Sequence, residues 1–441
     1  MRALLVTYYF PPAGGGGVQR VLGWCRHLPE FGVELTVAAP AEPHWVDADP
    51  TLVIPPTTRV IRTSDPSPAA VIPREALAGV SGMRRLLRRI ALQPRRFAVP
   101  DIHARWRRPA VRAILAVARD LPASERWDVV VSSSPPETTH LVARDVAQAL
   151  GIPWVADLRD SWLDLPHLRL DRLAPRLKHA RSVRLARRVL ADAAAATTVS
   201  VPLAADLRRR HPNLAVHVIE NGVEPTDVAR AEPRADGFRE RERFVVLYSG
   251  NFFGRQSALS MLDATDRLLA ERPDRADTLV LRFIGGLKPA DRARIDASPR
   301  LRAVVDHVDF LRHDDVLAHQ RAADLLFLYV APGAGSQGVF TGKVFEYVAS
   351  RRPVLALVPS DNVCVELLAQ AGSTTQLSGA RVDPDDITQI AAALEQAHDA
   401  WRAADGAERG DIVVPADVLA RIDRATGARQ LAELLTVTTR G

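Results

Sequence analysis

The stretch Gly333 to Pro359, GAGSQGVFTGKVFEYVASRRPVLALVP, passes from a glycine-rich loop through a helix into a strand without a break. Its loop, Gly333-Ala334-Gly335-Ser336-Gln337-Gly338, holds residues that tolerate unusual backbone angles. Val344, Tyr347 and Val348 recur at helical spacing and predict a helix from about Phe340 to Ser350, which must stop before Pro353. The apolar run Val354-Leu355-Ala356-Leu357-Val358 then predicts a buried strand, so the stretch is one helix-to-strand step of a parallel sheet.

The start of that helix has a definite chemistry. Unpaired backbone N–H groups and the positive end of the helix dipole sit beside small residues, which lets an anionic group approach closely. Phosphate is the natural occupant. Ser336, Gln337, Gly338, Val339 and Phe340 offer backbone groups to it, while Thr341 and Lys343 add a hydroxyl and a positive charge. Glu346, one turn further on, can accept hydrogen bonds from a ribose diol.

Working outward, the same grammar recurs. Residues 3–8 read as a buried strand, followed by Pro11-Pro12-Ala13, four glycines from Gly14 to Gly17, and a helix from about Val18 to Phe31. Strand, glycine loop, helix opens a nucleotide-binding α/β domain. A double proline precedes the loop, however, and no acid for an adenine ribose follows the next strand, 34–39, so the dinucleotide reading falls. The glycine loop can still let a ligand lie against the backbone, with Gln19 and Arg20 reaching towards it. Residues 128–131 predict a strand ending in Ser132-Ser133-Ser134-Pro135-Pro136. The next strand, 154–156, delivers Asp157-Leu158-Arg159-Asp160-Ser161-Trp162. Asp157 and Asp160 can position a sugar or act on a proton, and Arg159 can hold one of them charged; a structural Asp–Arg pair is the competing reading. His140 reads as a surface or capping histidine.

The second half restarts at Phe244 to Tyr248, followed by Ser249-Gly250-Asn251-Phe252-Phe253-Gly254-Arg255, and Arg255 is a second phosphate candidate. Residues 279–284 end in Gly285-Gly286, with Lys288 just beyond, and 305–310 lead to Leu311-Arg312-His313-Asp314-Asp315, whose backbone can pair with a base edge. The C-terminal helices, roughly 386–402 and 416–436, carry no evident chemistry.

Length and composition fit this division. At 441 residues, 47% of them hydrophobic, the chain is too long for one core. The expected organisation is an N-terminal domain over 1–220, a linker over 221–243, a C-terminal domain over 244–415 and a C-terminal helix over 416–441 that packs back on the first domain. The two cysteines, Cys25 and Cys364, lack metal-ligand spacing, which argues against a disulfide framework or zinc site and fits a reducing cytoplasm. The first apolar run breaks at Pro11-Pro12 and reads as a strand, not a signal peptide. The formal charge of +6 comes from abundant arginine. One basic stretch, Arg84 to Arg108, interleaves arginines with apolar residues and suits peripheral contact with an anionic membrane or a phosphorylated acceptor; a solvated helix face is the plain alternative.

The motifs, taken in order, resemble the GT-B glycosyltransferases of the retaining family 4 type: YYFPPAGGGGVQR, SSSPP, DLRDSW, ENGVEP, LYSGNFFGR, FIGG and GVFTGKVFEYVASRRPVLAL. The resemblance implies an α/β chain of two Rossmann-like, doubly wound domains facing a central cleft. It also implies a cytoplasmic enzyme, in places peripheral at the inner membrane face, that moves a sugar from a nucleotide-sugar donor, UDP-sugar favoured, to a small-molecule, lipid-linked or polysaccharide acceptor with retained configuration. No metal or other cofactor and no nucleic-acid partner is expected. The donor would contact Gly16, Gly17, Arg255, Lys288, Ser336 to Thr341, Lys343 and Glu346; the acceptor would contact Gly14, Gly15, Gln19 and Ser134; and Asp157, Arg159 and Asp160 would be catalytic. The chain departs from the family pattern at Gly338, where many members carry a glutamate, after Asp157, where many have a histidine, and at Arg255-Gln256-Ser257, which lacks a following lysine. A sugar-nucleotide epimerase on the same fold and a non-catalytic basic binding protein are the alternatives.

Overall fold

The computed structural model describes residues 1–41, 48–67, 98–163, 173–231, 243–252, 254–333, 335–374, 379–404 and 411–440. The chain divides into two compact units, Met1–Glu220 with Gly427–Gly441, and Asn221–Thr426.

The first unit is built on seven strands: β1 (Arg2–Thr7), β2 (Glu34–Pro40), β3 (Arg59–Thr63), β4 (Val129–Ser134), β5 (Trp154–Leu158), β6 (Ala195–Thr198) and β7 (Val216–Val218). They form one parallel sheet in the order β3-β2-β1-β4-β5-β6-β7, so the order reverses between β1 and β4. Alternation along the strands feeds two layers. Leu4, Val6, Val130 and Trp154 pack on one face. On the other, Ala3, Leu5, Val131 and Val155 pack with Ala428, Leu431 and Leu435 of the C-terminal helix Arg424–Arg440.

The second unit carries β8 (Phe244–Ser249), β9 (Leu279–Ile284), β10 (Val305–Val308), β11 (Leu325–Tyr329), β12 (Val354–Leu357) and β13 (Ala380–Val382). Their order, β10-β9-β8-β11-β12-β13, is again parallel and reverses between β8 and β11. The stretch that opened the reading supplies a short 3-10 turn, Ser336–Gly338, then the helix Gly342–Ala349 and β12. Val344, Tyr347 and Val348 are fully buried on the helix face predicted from their spacing.

Residues 221–231, expected in a linker, are built into the second unit. Val223 bridges to Asp423 and Val228 is buried. A side chain at Gly222, whose φ is +67, would come within 2.8 Å of the Ile422 carbonyl oxygen, so only glycine lets these two segments approach. The rest of that linker, 232–242, lies outside the described residues. The expected final helix is two helices, Ala416–Ile422 and Arg424–Arg440, the first in the second unit.

Candidate functional site

In doubly wound sheets ligands bind beyond the carboxyl ends of the strands where the strand order reverses. In the second unit that point lies between β8 and β11, and the residues singled out from the sequence gather there. Beyond β8 the chain turns at Gly250, whose φ is +114; a Cβ there would meet the Lys343 Nζ at 3.0 Å. The ammonium of Lys343, projecting from the first turn of the helix Gly342–Ala349, therefore lies against the end of β8. It donates to the Tyr248 hydroxyl over 2.8 Å and sits 4.0 Å from the centre of the same ring, which stacks on Phe252. Burial, partly opposed by the Glu346 charge, pushes its pKa down to about 8. Arg255, from the loop after β8, lies against Gly333, from the loop after β11. Its guanidinium is exposed and has no hydrogen-bond or ion-pair partner among the described residues.

Glu346 is held one turn along that helix. Its Oε2 accepts from Gln320 Nε2 at 2.9 Å, and its Oε1 lies 3.9 Å from His313 Nε2. Gln320 is itself fixed, since its Nε2 also donates to Ser249 Oγ at 3.0 Å. The loop between Gly335 and Thr341 is tied down by Asn362. The Nδ2 of that side chain donates to the carbonyls of Ser336 and Val339 at 2.5 and 3.2 Å, while its Oδ1 caps the helix Val363–Gln370 by accepting from Cys364 N. Ser336 and Gly338 are buried in the turn and Gln337 is exposed; Ala334 lies outside the described residues. Phe340 packs on Phe345, and the Thr341 hydroxyl is buried with no partner. Lys288 grips the Gly254 carbonyl at 2.8 Å, beside Arg255. Gln320 and Asn362 are absent from the sequence reading, which names Tyr248 only as a strand end and His313 only for its backbone. Each meets this helix or loop from an element distant in the chain, and no local pattern marks that.

In the first unit the strand order reverses between β1 and β4, and here the structure corrects the expectations for Asp157, Arg20, Arg159, Ser134 and His140. Asp157 lies inside β5, not beyond its end, because the strand runs through Leu158. It is fully buried and both of its oxygens are occupied: Oδ1 accepts from Arg20 and Thr197, Oδ2 from Arg20 and Ser133. That leaves no lone pair aimed at a substrate, and Asp157 is structural. Its cation is Arg20, which turns inward to this 2.8 Å pair and does not reach out with Gln19. Burial alone would raise the Asp157 pKa, but Arg20 and the two hydroxyls outweigh it and hold the carboxyl below the usual range.

Arg159, expected to hold an aspartate, instead ties the end of β4 to the first turn of the helix Gly16–His27. It donates to the Ser134 carbonyl at 2.7 Å and to the Gly17 carbonyl at 2.5 Å. Ser134 is buried with its hydroxyl turned back on Asp157's carbonyl at 3.5 Å, so its side chain faces no acceptor. His140 is a core residue, not a surface one: its Nδ1 pairs with Ser132 Oγ at 2.7 Å and burial pushes its pKa down to about 4. What stays open at this end is Gly16, where a Cβ would meet nothing, with Gly15 at φ +85 before it, the partly exposed Gln19 and the exposed Asp160. Gly14 is buried.

Among the described residues no group of three or more His, Cys, Asp or Glu is placed to hold a metal ion, and no helix is long and apolar enough to cross a membrane.

The comparisons with known proteins agree with this architecture. Over essentially its whole length the chain superposes on sucrose-phosphate synthase from Thermosynechococcus elongatus, covering 100% of this chain and 97% of that one, at 17% identity and a TM-score of 0.57. It superposes on a glycosyltransferase from Rickettsia africae at 11% identity, covering 99% and 98%, with a TM-score of 0.61. For a UDP-forming α,α-trehalose-phosphate synthase from Burkholderia xenovorans, in complex with glucose-6-phosphate, the identity is 14%, the coverage 99% and 100%, and the TM-score 0.62. At such identities the likeness speaks for the fold, and that fold is GT-B. No curated protein matches the chain in sequence. Residues 15–222 match the family described as a glycosyl transferase 4-like domain. The GT-B fold of the whole chain and the glycosyl transferase 4-like domain matched over its first unit together support a glycosyltransferase.

Proposed function

We propose that this glycosyltransferase uses a nucleoside-diphosphate sugar, UDP-linked in the favoured case, held by the second unit, and that a small-molecule, lipid-linked or polysaccharide acceptor binds the first. The carrying observation is the Arg255 guanidinium, unpaired among the described residues, against Gly333 in the loop that leads into the Ser336–Gly338 turn and the helix Gly342–Ala349, with Glu346 on that helix fixed by Gln320. A diphosphate on Arg255 and the helix start is matched in charge, and a ribose diol can donate to Glu346. Lys343, at the end of β8, supplies a second cation where Arg255-Gln256-Ser257 has none. These cations and the helix dipole would stabilise the leaving diphosphate, so no resident metal is part of the proposal. The sugar is transferred with retention, as the resemblance implies; proton NMR of the product's anomeric configuration tests that point.

The central test is calorimetry of UDP, GDP, dTDP and ADP against the purified chain. Saturable binding of one nucleotide, lost in Arg255→Ala, is the expected result. Failure of all four to bind overturns the reading.

A further inference from the structure

In the first unit, a cavity of about 620 Å³ opens at the start of the helix Arg107–Asp120, lined by Arg105, Arg107, Arg108 and Arg112 together with Asp145 and Pro66. Among the described residues only one of these guanidiniums is neutralised. Arg107 pairs with both oxygens of Asp145, at 2.6 and 2.7 Å. Arg105, Arg108 and Arg112 have no carboxylate partner among the described residues; the one contact they make is from Arg112 to the Arg108 carbonyl, at 3.5 Å. Elsewhere exposed arginines of this chain do find carboxylates: Arg300 pairs with Asp266, Arg292 with Asp309 and Arg267 with Glu271.

The placement runs against helix stability. Arg108 and Arg112 fall four apart on one face of the helix, where like charges repel, and Arg105 lies three residues before Arg108 in the 3-10 turn Ala104–Trp106 that leads into it. Arg107 and Arg108 also occupy the first turn, at the positive end of the dipole; the turn itself holds no acidic residue, and only Arg107 is offset from outside it, by Asp145. A merely solvated face needs neither feature, and an arginine-rich composition would not by itself gather cations round one cavity. The backbone that carries the arginines is anchored: Trp106 is fully buried, donates to Thr63 Oγ1 at 2.7 Å at the end of β3, and meets the Tyr8 ring edge-on.

We propose that this cavity is a binding site for a multiply charged phosphate group, separate from the donor site and independent of the function proposed above. Guanidinium forks match phosphate oxygens in pairs. A single carboxylate would leave two of the three unpaired charges uncompensated, whereas a diphosphate or a phosphomonoester beside a second phosphate balances them. The group can come from a soluble phosphate compound or from a lipid headgroup.

The probe is inorganic pyrophosphate, titrated calorimetrically into the full chain carrying Arg255→Ala, so that the donor site is silenced. Saturable binding that weakens steeply with salt, and at least tenfold when Arg105→Gln, Arg108→Gln and Arg112→Gln are added, is the expected result. The triple change should leave the melting temperature equal or higher, because it removes repulsion at the helix start. A lower melting temperature would make the arginines structural and overturn the proposal, as would absent pyrophosphate binding or an unchanged affinity. Cosedimentation with phosphatidylglycerol vesicles separates the sources. Vesicle binding that pyrophosphate competes away and the triple change abolishes assigns a headgroup, and pyrophosphate binding without vesicle binding assigns a soluble phosphate.

Discussion

The Lys343 ammonium donates to the Tyr248 hydroxyl and lies over the face of the same ring, so one aromatic residue both orients this cation and helps to desolvate it. Burial, against the pull of Glu346, brings its pKa down to about 8. The group is charged below that value and neutral above it, and a diphosphate favours the charged form. UDP binding should therefore hold steady from about pH 7 to 7.5 and weaken above about pH 8, by up to tenfold per unit. Near the midpoint it should take up protons, seen in calorimetry as a dependence on buffer ionisation enthalpy. Lys343→Met should bind more weakly and flatten the profile; Tyr248→Phe, which removes the acceptor of the ammonium, should move its midpoint down. A profile for Lys343→Met that matches the parent would remove this lysine from the site.

Glu346 is expected to act on the ribose, and the ligand can be altered as well as the protein. A hydrogen bond to a charged group contributes about 1.5–3 kcal/mol, so Glu346→Ala should weaken UDP roughly 10- to 100-fold, with Glu346→Gln between it and the parent. The parent should also discriminate UDP from 2′-deoxy-UDP, and Glu346→Ala should abolish that difference. Equal discrimination in both proteins would place the ribose elsewhere. Gln320→Ala should mimic part of the loss, since it frees the carboxylate it now holds.

The Arg20–Asp157 pair is a different matter, because both side chains are buried and neither faces a ligand. Breaking such a pair on one side costs about 3–5 kcal/mol. Arg20→Met should lower the melting temperature by many degrees at pH 7. In the parent, the folded Asp157 pKa lies below its unfolded value of about 4, so its contribution is complete above pH 4 and is lost on further acidification. In the variant, burial without the cation raises that pKa instead. The deficit against the parent should therefore shrink between pH 7 and 5 in parallel thermal melts. A deficit that does not change with pH would mean that the carboxylate is compensated by its hydroxyl partners alone.

These two arginine-bearing sites show what the sequence could and could not disclose. The strand, glycine loop and helix of each unit were legible because apolar runs and glycines are local signals, and Arg255, Lys343 and Glu346 sit on such local frames. Asp157 looks catalytic in the sequence because a strand read two residues too short puts its side chain beyond the sheet. Its partner Arg20 is 137 residues away, and only the sheet order joins them. Arg159 was recognised as important, but its acceptors are backbone carbonyls, which have no sequence signature. Gln320 and Asn362 went unseen for the same reason: each is one polar residue on an unremarkable segment until folding delivers it to Glu346 or to the Ser336 loop.

His140 carries the last prediction. Its imidazole sits in the core between Trp154 and Trp162, with Nδ1 on Ser132 and Nε2 buried without a partner. Burial lowers its pKa to about 4, with Arg159 adding to that effect and Asp157 opposing it. Unfolded histidine titrates near 6.5, so between about pH 6.5 and 4 the unfolded chain binds the extra proton, and stability falls as pH falls through that window. The loss assigned to this one group is roughly 2–3 kcal/mol. His398, also depressed to about 4 by burial, titrates over the same interval, so a variant at one site should reduce the acid slope without removing it. Denaturant melts of His140→Phe at pH 6.5 and 4.5 should show a smaller difference than the parent, whereas an equal difference would assign the whole acid sensitivity to His398 and the carboxylates.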